Sequence, residues 1–223
     1  MPGTSAEILS DDVRSEICPD KLTSRGWLDV VHKAHAAGLP TTSTIMFGHT
    51  EGHAAIARHL KRLHVLQERS LSSGLPVAIT EFVPLPFVHP EAPVYKRGMA
   101  RRGPTLREAL LMHAVGRLAL PSIPSIQVSW TKMGARGAAM ALRAGANDLG
   151  GTLMSESISR AAGAAHGQEM DAERMHTIVD GLPVDPDGAV RSAWQRSTLY
   201  DKVAEERTRA AAMAPPLKPV AVD

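Results

Sequence analysis

The sequence predicts an α/β fold with parallel strands, and three observations carry that prediction. Short apolar strands alternate along the chain with helical stretches of ~10 to 20 residues, a grammar that implies right-handed crossovers between parallel neighbours. Along Ser125-Ile-Gln-Val-Ser-Trp130 the side chains alternate between an apolar face (Ile126, Val128, Trp130) and a polar one (Ser125, Gln127, Ser129). A strand buried on both faces of an ordinary doubly wound sheet is apolar throughout, so the polar face predicts a cavity for a polar ligand. The third observation is Gly145-Ala-Asn-Asp-Leu-Gly-Gly-Thr-Leu-Met154, which places an amide, a carboxylate and glycines where a short buried strand should end.

The elements follow in order. Thr23 or Ser24 is placed to cap a lead-in helix carrying Trp27, Leu28, Val30, Val31 and Ala34, which Gly38 and Pro40 end. Thr42–Phe47 reads as the first strand. Residues 51 to 70 read as a helix whose stripe is Ile56, Leu60, Leu63, Val65 and Leu66. Ile79–Val83 reads as the second strand, and a long loop through Pro84, Pro86, Pro90 and Pro93 leads to Thr105. Thr105 is placed to cap a helix reaching about Leu120. Ile126–Trp130 is expected as the third strand, a helix around Ala138 to Ala144 stops at Gly145, and a fourth short strand follows at once. Residues 155 to 165 and 168 to 180 add two helices, and Ala210 to Asp223, with Pro215, Pro216 and Pro219, reads as a loose tail.

Composition narrows the function. The 223 residues are 43% hydrophobic, enough for one large domain with a substantial core. A net charge of +2, with no basic block interleaved with aromatics, argues against nucleic acid as a partner. No run approaches the ~18 apolar residues of a membrane span and no secretory leader opens the chain, so a cytoplasmic location without membrane contact is expected. The lone Cys18 excludes an internal disulfide and any cysteine-rich metal or cluster site built from these residues alone.

The residues placed to carry chemistry gather near expected strand ends. In eight-stranded barrels sites collect at the carboxyl ends of strands, and His49, Glu81, Trp130 and Asn147 read as lying near such ends. Glu81 on an apolar strand must bind a cation, donor or substrate, stay protonated, or pair with an arginine. Gln127 fits either an internal hydrogen bond or a ligand contact. Asn147 and Asp148 suit a capping turn as well as a ligand, and Gly150 and Gly151 favour the ligand because a cap has no need of two glycines. His49-Thr-Glu-Gly-His53 spaces two histidines by four, but Gly52 interrupts the motif and no third ligand is near, so His49 is expected to line a pocket and His53 to be solvated. Arg101, Arg102 and Arg107 read as solvated surface, and Met112 and His113 as core and edge residues.

Several runs together resemble a known family along almost the whole chain. They are Pro2–Leu9, Cys18-Pro-Asp-Lys21, Thr44-Ile-Met-Phe-Gly-His49, Thr80-Glu-Phe-Val-Pro-Leu-Pro-Phe-Val-His89, Gly145–Met154 and Ile158–Gly167. The family is that of the radical SAM deazaflavin (FO) synthases, in the carboxyl-terminal half that handles tyrosine and a ribitylaminouracil. Menaquinone-pathway radical SAM enzymes share weaker forms of these runs.

The resemblance implies a transferase in coenzyme F-420 biosynthesis on a TIM-type (β/α) barrel. A [4Fe-4S] cluster and S-adenosyl-L-methionine generate a radical, and the 4-hydroxybenzyl fragment of L-tyrosine is transferred to 5-amino-6-(D-ribitylamino)uracil. Residues 1–200 are then expected to form strands five to eight, a half-barrel, with 201–223 a short helical extension and flexible tail. The family's C-x-x-x-C-x-x-C cluster loop has no counterpart here, since Cys18 stands alone. The chain is therefore expected to bind no cluster, to be inactive alone, and to need a missing amino-terminal half-barrel as partner. Thr44, His49, Glu81, Gln127, Asn147, Asp148, Gly150 and Gly151 become candidates for contact with substrate or S-adenosylmethionine, with no catalytic residue assigned. Two other readings stay open: a non-catalytic remnant or complementing subunit, and a non-radical α/β lyase.

Overall fold

In the computed structural model, the residues described are Met1, 6–153, 155–167 and 169–182. The chain divides into one compact unit, Met1–Gly181, and a second, Leu182–Asp223. The expected boundary near residue 200 and the tail at 201–223 lie outside the described residues.

The compact unit runs α1 (Asp11–Ile17), α2 (Ser24–Ala36), β1 (Thr41–Phe47), α3 (His53–Ser72), β2 (Ile79–Pro86), α4 (Pro93–Lys96), α5 (Leu106–Ala119), β3 (Ser125–Ile126), α6 (Trp130–Arg143), α7 (Ile158–Ala161) and α8 (Ala172–Asp180). The predicted caps form. Thr23 Oγ1 accepts from the Gly26 amide, and Thr105 makes a reciprocal capping box with Glu108. α1 and α4 are short turns that the apolar pattern does not announce. The helices expected over 155 to 165 and 168 to 180 contract to α7 and α8, because Gly163 at φ 91° turns the backbone out of helix.

The strands form a parallel sheet in the order β1-β2-β3. β1 and β2 pair along their length, from Thr41 opposite Ile79 to Phe47 opposite Pro86. Pro84 and Pro86 therefore belong to the strand, where the sequence pattern suggests loop. Backbone direction explains it: the Phe87 amide donates to Phe47 on the β1 side, whereas Phe82 offers its carbonyl to Gln127 on the β3 side. Pro84 and Pro86 share the direction of Phe82, and β3 pairs only with Glu81 and Phe82, so the missing amides interrupt no ladder.

Two strand expectations need correction. β3 is only Ser125–Ile126, and Trp130 opens α6 because Ser129 acts as its N-cap. The fourth strand reduces to a parallel bridge between Gln127 and Asp148, with a separate antiparallel bridge between Leu153 and Met170. Gly150 at φ 73° bends the chain away before a ladder can extend.

Alternation assigns the two sheet faces. Ile45, Phe47, Ile79, Phe82 and Ile126 pack under the helices with Trp27, Leu63 and Met112. Gly116 of α5 lies so close to Phe82 that a Cβ there would sit 3.1 Å from its ring. Truncating Phe82 would open a cavity costing about 3 to 5 kcal/mol. The opposite face carries Thr42, Thr44, Glu81, Val83, Ser125 and Gln127, as the register and alternation dictate.

Buried polar groups tie layers together. His35, fully buried, bridges Ser70 of α3 at 2.8 Å and Thr41 of β1 at 2.9 Å. Gln67 donates to the Ile79 and Ser122 carbonyls and accepts from the Ile79 amide, closing the start of β2 against α3. Arg14 donates to the carbonyls of Ala6, Ile8 and Leu22, and Arg62 to that of Leu9. These bonds hold the amino-terminal segment in place, and its Glu7 carbonyl accepts from Met46 along the outer edge of β1. That edge is thereby covered rather than bare.

Candidate functional site

The clearest polar constellation lies on the sheet face opposite the helices. Gln127 follows β3 directly, and its Nε2 donates to Glu81 Oε1 at 2.9 Å. Asp148 is brought to the same place by its bridge to Gln127, with its own backbone carbonyl accepting from Val128. The Asp148 carboxyl acts on the Glu81 carboxyl from there. Burial, followed by the charge of Asp148 and the hydrogen bond with it, pushes the Glu81 pKa up to about 7, and Gln127 works in the opposite direction. Near neutral pH Glu81 therefore lies close to its own pKa, where it can either donate or accept a proton.

The turn after Asp148 depends on glycine. Asp148 Oδ1 accepts from the Gly150 amide at 2.6 Å, and at φ 73° a Cβ on residue 150 would meet Gln127 Nε2 at 3.0 Å. Gly150 thus lets the loop close onto the Glu81–Gln127–Asp148 cluster. Gly151 is open, with nothing within 4 Å of a Cβ position, and its carbonyl accepts from the Trp130 indole at 3.3 Å.

Asn147 is committed within the protein. Its Oδ1 accepts from Arg117 Nη2 at 2.6 Å and from the Ile126 amide at 2.8 Å, while Nδ2 donates to the Pro124 carbonyl at 2.9 Å. This amide fastens the loop to β3 and α5.

His49 and Thr44 lie on β1 and just beyond its carboxyl end. His49 is buried, its Nδ1 accepts from the Thr50 amide at 2.7 Å, and its Nε2 donates to the Met46 carbonyl at 3.0 Å. That geometry defines the Nε2-protonated neutral ring, so the 3.2 Å approach of Glu51 to Nδ1 is proximity rather than an ion pair. Phe87 packs on the ring edge at 5.9 Å. Thr44 is buried opposite Val83. Since β2 extends to Pro86, Glu81 belongs to its amino-terminal part and not to a carboxyl end, which separates it from His49 along the sheet. Trp130 does stand just past the carboxyl end of β3, but on a helix. Among the described residues no group of three His, Cys, Asp or Glu could hold a metal ion. Cys18 is buried and burial pushes its thiol up, the reverse of a ligating thiolate.

Sequence reasoning missed Glu51. Its carboxylate accepts from the Gly48 amide at 2.5 Å and the His49 amide at 2.8 Å, and so shapes the turn that leaves β1. The signal was present, since Glu51 is the carboxylate within His49-Thr-Glu-Gly-His53, but the paired histidines drew the attention. Arg117 was missed too, because an arginine on an amphipathic helix carries no sign that it reaches the Gly145 carbonyl and Asn147.

The described residues thus form a parallel α/β sheet with Glu81, Gln127 and Asp148 gathered on its polar face beside a glycine turn. Residues 77–184 match the family described as the CofH/MqnC C-terminal region. It is 47% identical over 204 residues to a 5-amino-6-(D-ribitylamino)uracil--L-tyrosine 4-hydroxyphenyl transferase of Methanopyrus kandleri, covering 91% of this chain and 52% of the relative. An identically named protein of Nostoc punctiforme is 46% identical over 205 residues, again covering 52% of its length. The FO synthase of Streptomyces coelicolor is 46% identical over 212 residues, covering 95% of this chain and 23% of the relative. The chain thus spans about half the length of the transferases it matches and about a quarter of the FO synthase.

Proposed function

We propose that this chain provides the carboxyl-terminal, substrate-side part of an FO-synthase-type transferase joining the 4-hydroxybenzyl fragment of L-tyrosine to 5-amino-6-(D-ribitylamino)uracil. The observation that carries the reading is 47% identity to a transferase of that name across 91% of the chain. The helix-covered parallel sheet supports the finer view that Met1–Gly181 is a section of a (β/α) barrel whose interior face carries Thr42, Thr44, Glu81 and Gln127.

The resemblance implies that a [4Fe-4S] cluster and S-adenosylmethionine supply the radical. The residues present do not fit the cluster: it requires three thiolates, and Cys18 is the chain's one cysteine, buried with a raised pKa. The cluster would have to be held by cysteines outside these 223 residues, on an adjoining segment or a partner subunit. The residues of this chain orient substrates and exclude water around them. Glu81 and Asp148 can take up an amine or hydroxyl and release or hold one proton, with Gln127 keeping Glu81 in register. Thr44, His49, Gly150 and Gly151 stay candidates for contact with substrate or S-adenosylmethionine, and Asn147 positions the loop that carries Asp148.

The test is complementation. The full chain is mixed anaerobically with a protein carrying the C-x-x-x-C-x-x-C cluster loop, and deazaflavin product is assayed by its fluorescence with tyrosine, aminouracil and S-adenosylmethionine supplied. Product that depends on both proteins and falls with Glu81→Ala is expected. Turnover of a substrate by this chain alone, without S-adenosylmethionine, would establish the non-radical lyase instead.

A further inference from the structure

A groove of about 370 Å³ lies between α2 and α3, on the helix-covered side of the sheet and away from the face that carries Glu81. Leu28 of α2, half-buried, and Leu66 of α3, buried, form its floor, and Val65 stands 54% exposed over it. Along one wall Arg58, Lys61, Arg62, Val65 and Arg69 of α3 follow one another at three- and four-residue spacing, which places them on a single helix face. The α2 wall offers one carboxylate, Asp29.

The positive charge of this wall is only partly answered. Arg58 is held by Asp12 at 2.8 Å and by Ser10, and Arg62 donates to the Leu9 carbonyl at 2.6 Å, which pins that end of the stripe. Lys61 and Arg69 stand exposed, and neither forms an ion pair with another described residue. An apolar floor thus lies beneath two cations that lack a counter-charge.

The spacing selects the occupant. Lys61 and Arg69 are eight residues apart, about 12 Å along the axis at about 1.5 Å per residue, so a phosphate-sized anion cannot reach both. A flat lipid surface would meet Val65 but not the buried Leu66. A helix laid along the groove answers every part of it: its apolar stripe packs on Leu28, Val65 and Leu66, and carboxylates about two turns apart reach Lys61 and Arg69.

We propose that this groove docks an acidic amphipathic helix of a partner polypeptide, with Lys61 and Arg69 pairing its carboxylates. The groove is separate from the sheet face proposed for substrate, so a failed test here leaves the transferase reading untouched.

Fluorescence anisotropy with the full chain tests it. The probe is a labelled peptide of about 18 residues, long enough to be helical alone, with a leucine face flanked by glutamates. A peptide of the same composition in shuffled order lacks that face, and vesicles containing phosphatidylserine stand in for a membrane. The acidic helix should bind the parent, bind about tenfold or more weakly when Lys61→Glu is combined with Arg69→Glu, and weaken with added salt. Both side chains are exposed and without ion pairs, so circular dichroism should show the double variant folded. Failure of the acidic helix to bind, equal binding of the shuffled peptide, or equal binding by parent and double variant overturns the site. Vesicle binding that the double variant loses, without peptide binding, assigns the patch to lipid and overturns it as well.

Discussion

Gln127 Nε2 donates to Glu81 Oε1 at 2.9 Å, and the same Gln127 bridges to Asp148, so a residue of β2 and a residue of a loop that meets the sheet at a single bridge are brought to one place. Burial, and then the charge of Asp148, disfavour the ionised form of Glu81.

A pH signature follows for stability. The Glu81 pKa is raised from 4.5 to about 7 in the fold, so the folded state binds more protons than the unfolded chain between those values. Its contribution is fully present below pH 4.5 and is lost as pH rises through about 7. Because Glu81 is partly exposed, the loss should be about 1 to 2 kcal/mol. Urea unfolding at a series of pH values should show this slope in the parent and a flatter one in Glu81→Gln. Parallel slopes in the two proteins would remove the raised Glu81 pKa from the account.

Asn147→Ala separates an architectural amide from a ligand-binding one. The substitution deletes bonds to Arg117, the Ile126 amide and the Pro124 carbonyl. Stability should fall by about 1 to 3 kcal/mol. Denaturant midpoints measure this directly, and an unchanged midpoint with weakened substrate binding would assign Asn147 to the ligand instead.

Gly48→Ala tests the turn that leaves β1. Gly48 has φ 91°, and a Cβ would fall 2.3 Å from Cδ of Pro104. Left-handed strain and the clash together should cost about 3 kcal/mol or more. Gly52→Ala meets nothing within 4 Å and serves as the control, expected near the parent in thermal unfolding. Equal melting temperatures for the two variants would contradict the packing of Pro104 over the turn.

What could be read from the chain was local. The Thr23 and Thr105 caps, the apolar stripe of α3 apart from Val65, which stands exposed, and the parallel grammar depend on residues a few positions apart, and propensity with periodicity reports such neighbours. Pro84 and Pro86 misled because their strand membership depends on which side carries a partner, a fact set by β3. Trp130 misled in the same way, since the alternation Ile126, Val128, Trp130 continues past the point where α6 begins. In the site, Asn147 and Asp148 were legible as a polar pair but not as different parts. One is consumed by Arg117 and Pro124, the other by Glu81, and those partners come from distant segments.

By itself the sequence determined the α/β class, the caps and glycine turns, the match of residues 77–184 to the CofH/MqnC C-terminal region, and the want of cysteines for a cluster. These are properties of composition, short-range spacing and runs of matching residues. Tertiary structure alone decided that Glu81 meets Asp148 through Gln127, that Glu51 shapes the His49 turn, and that α2 and α3 leave a groove between them. Each requires segments far apart in the chain to be brought within hydrogen-bond or van der Waals range, where burial and proximity of charge, not residue type, set what a side chain can do.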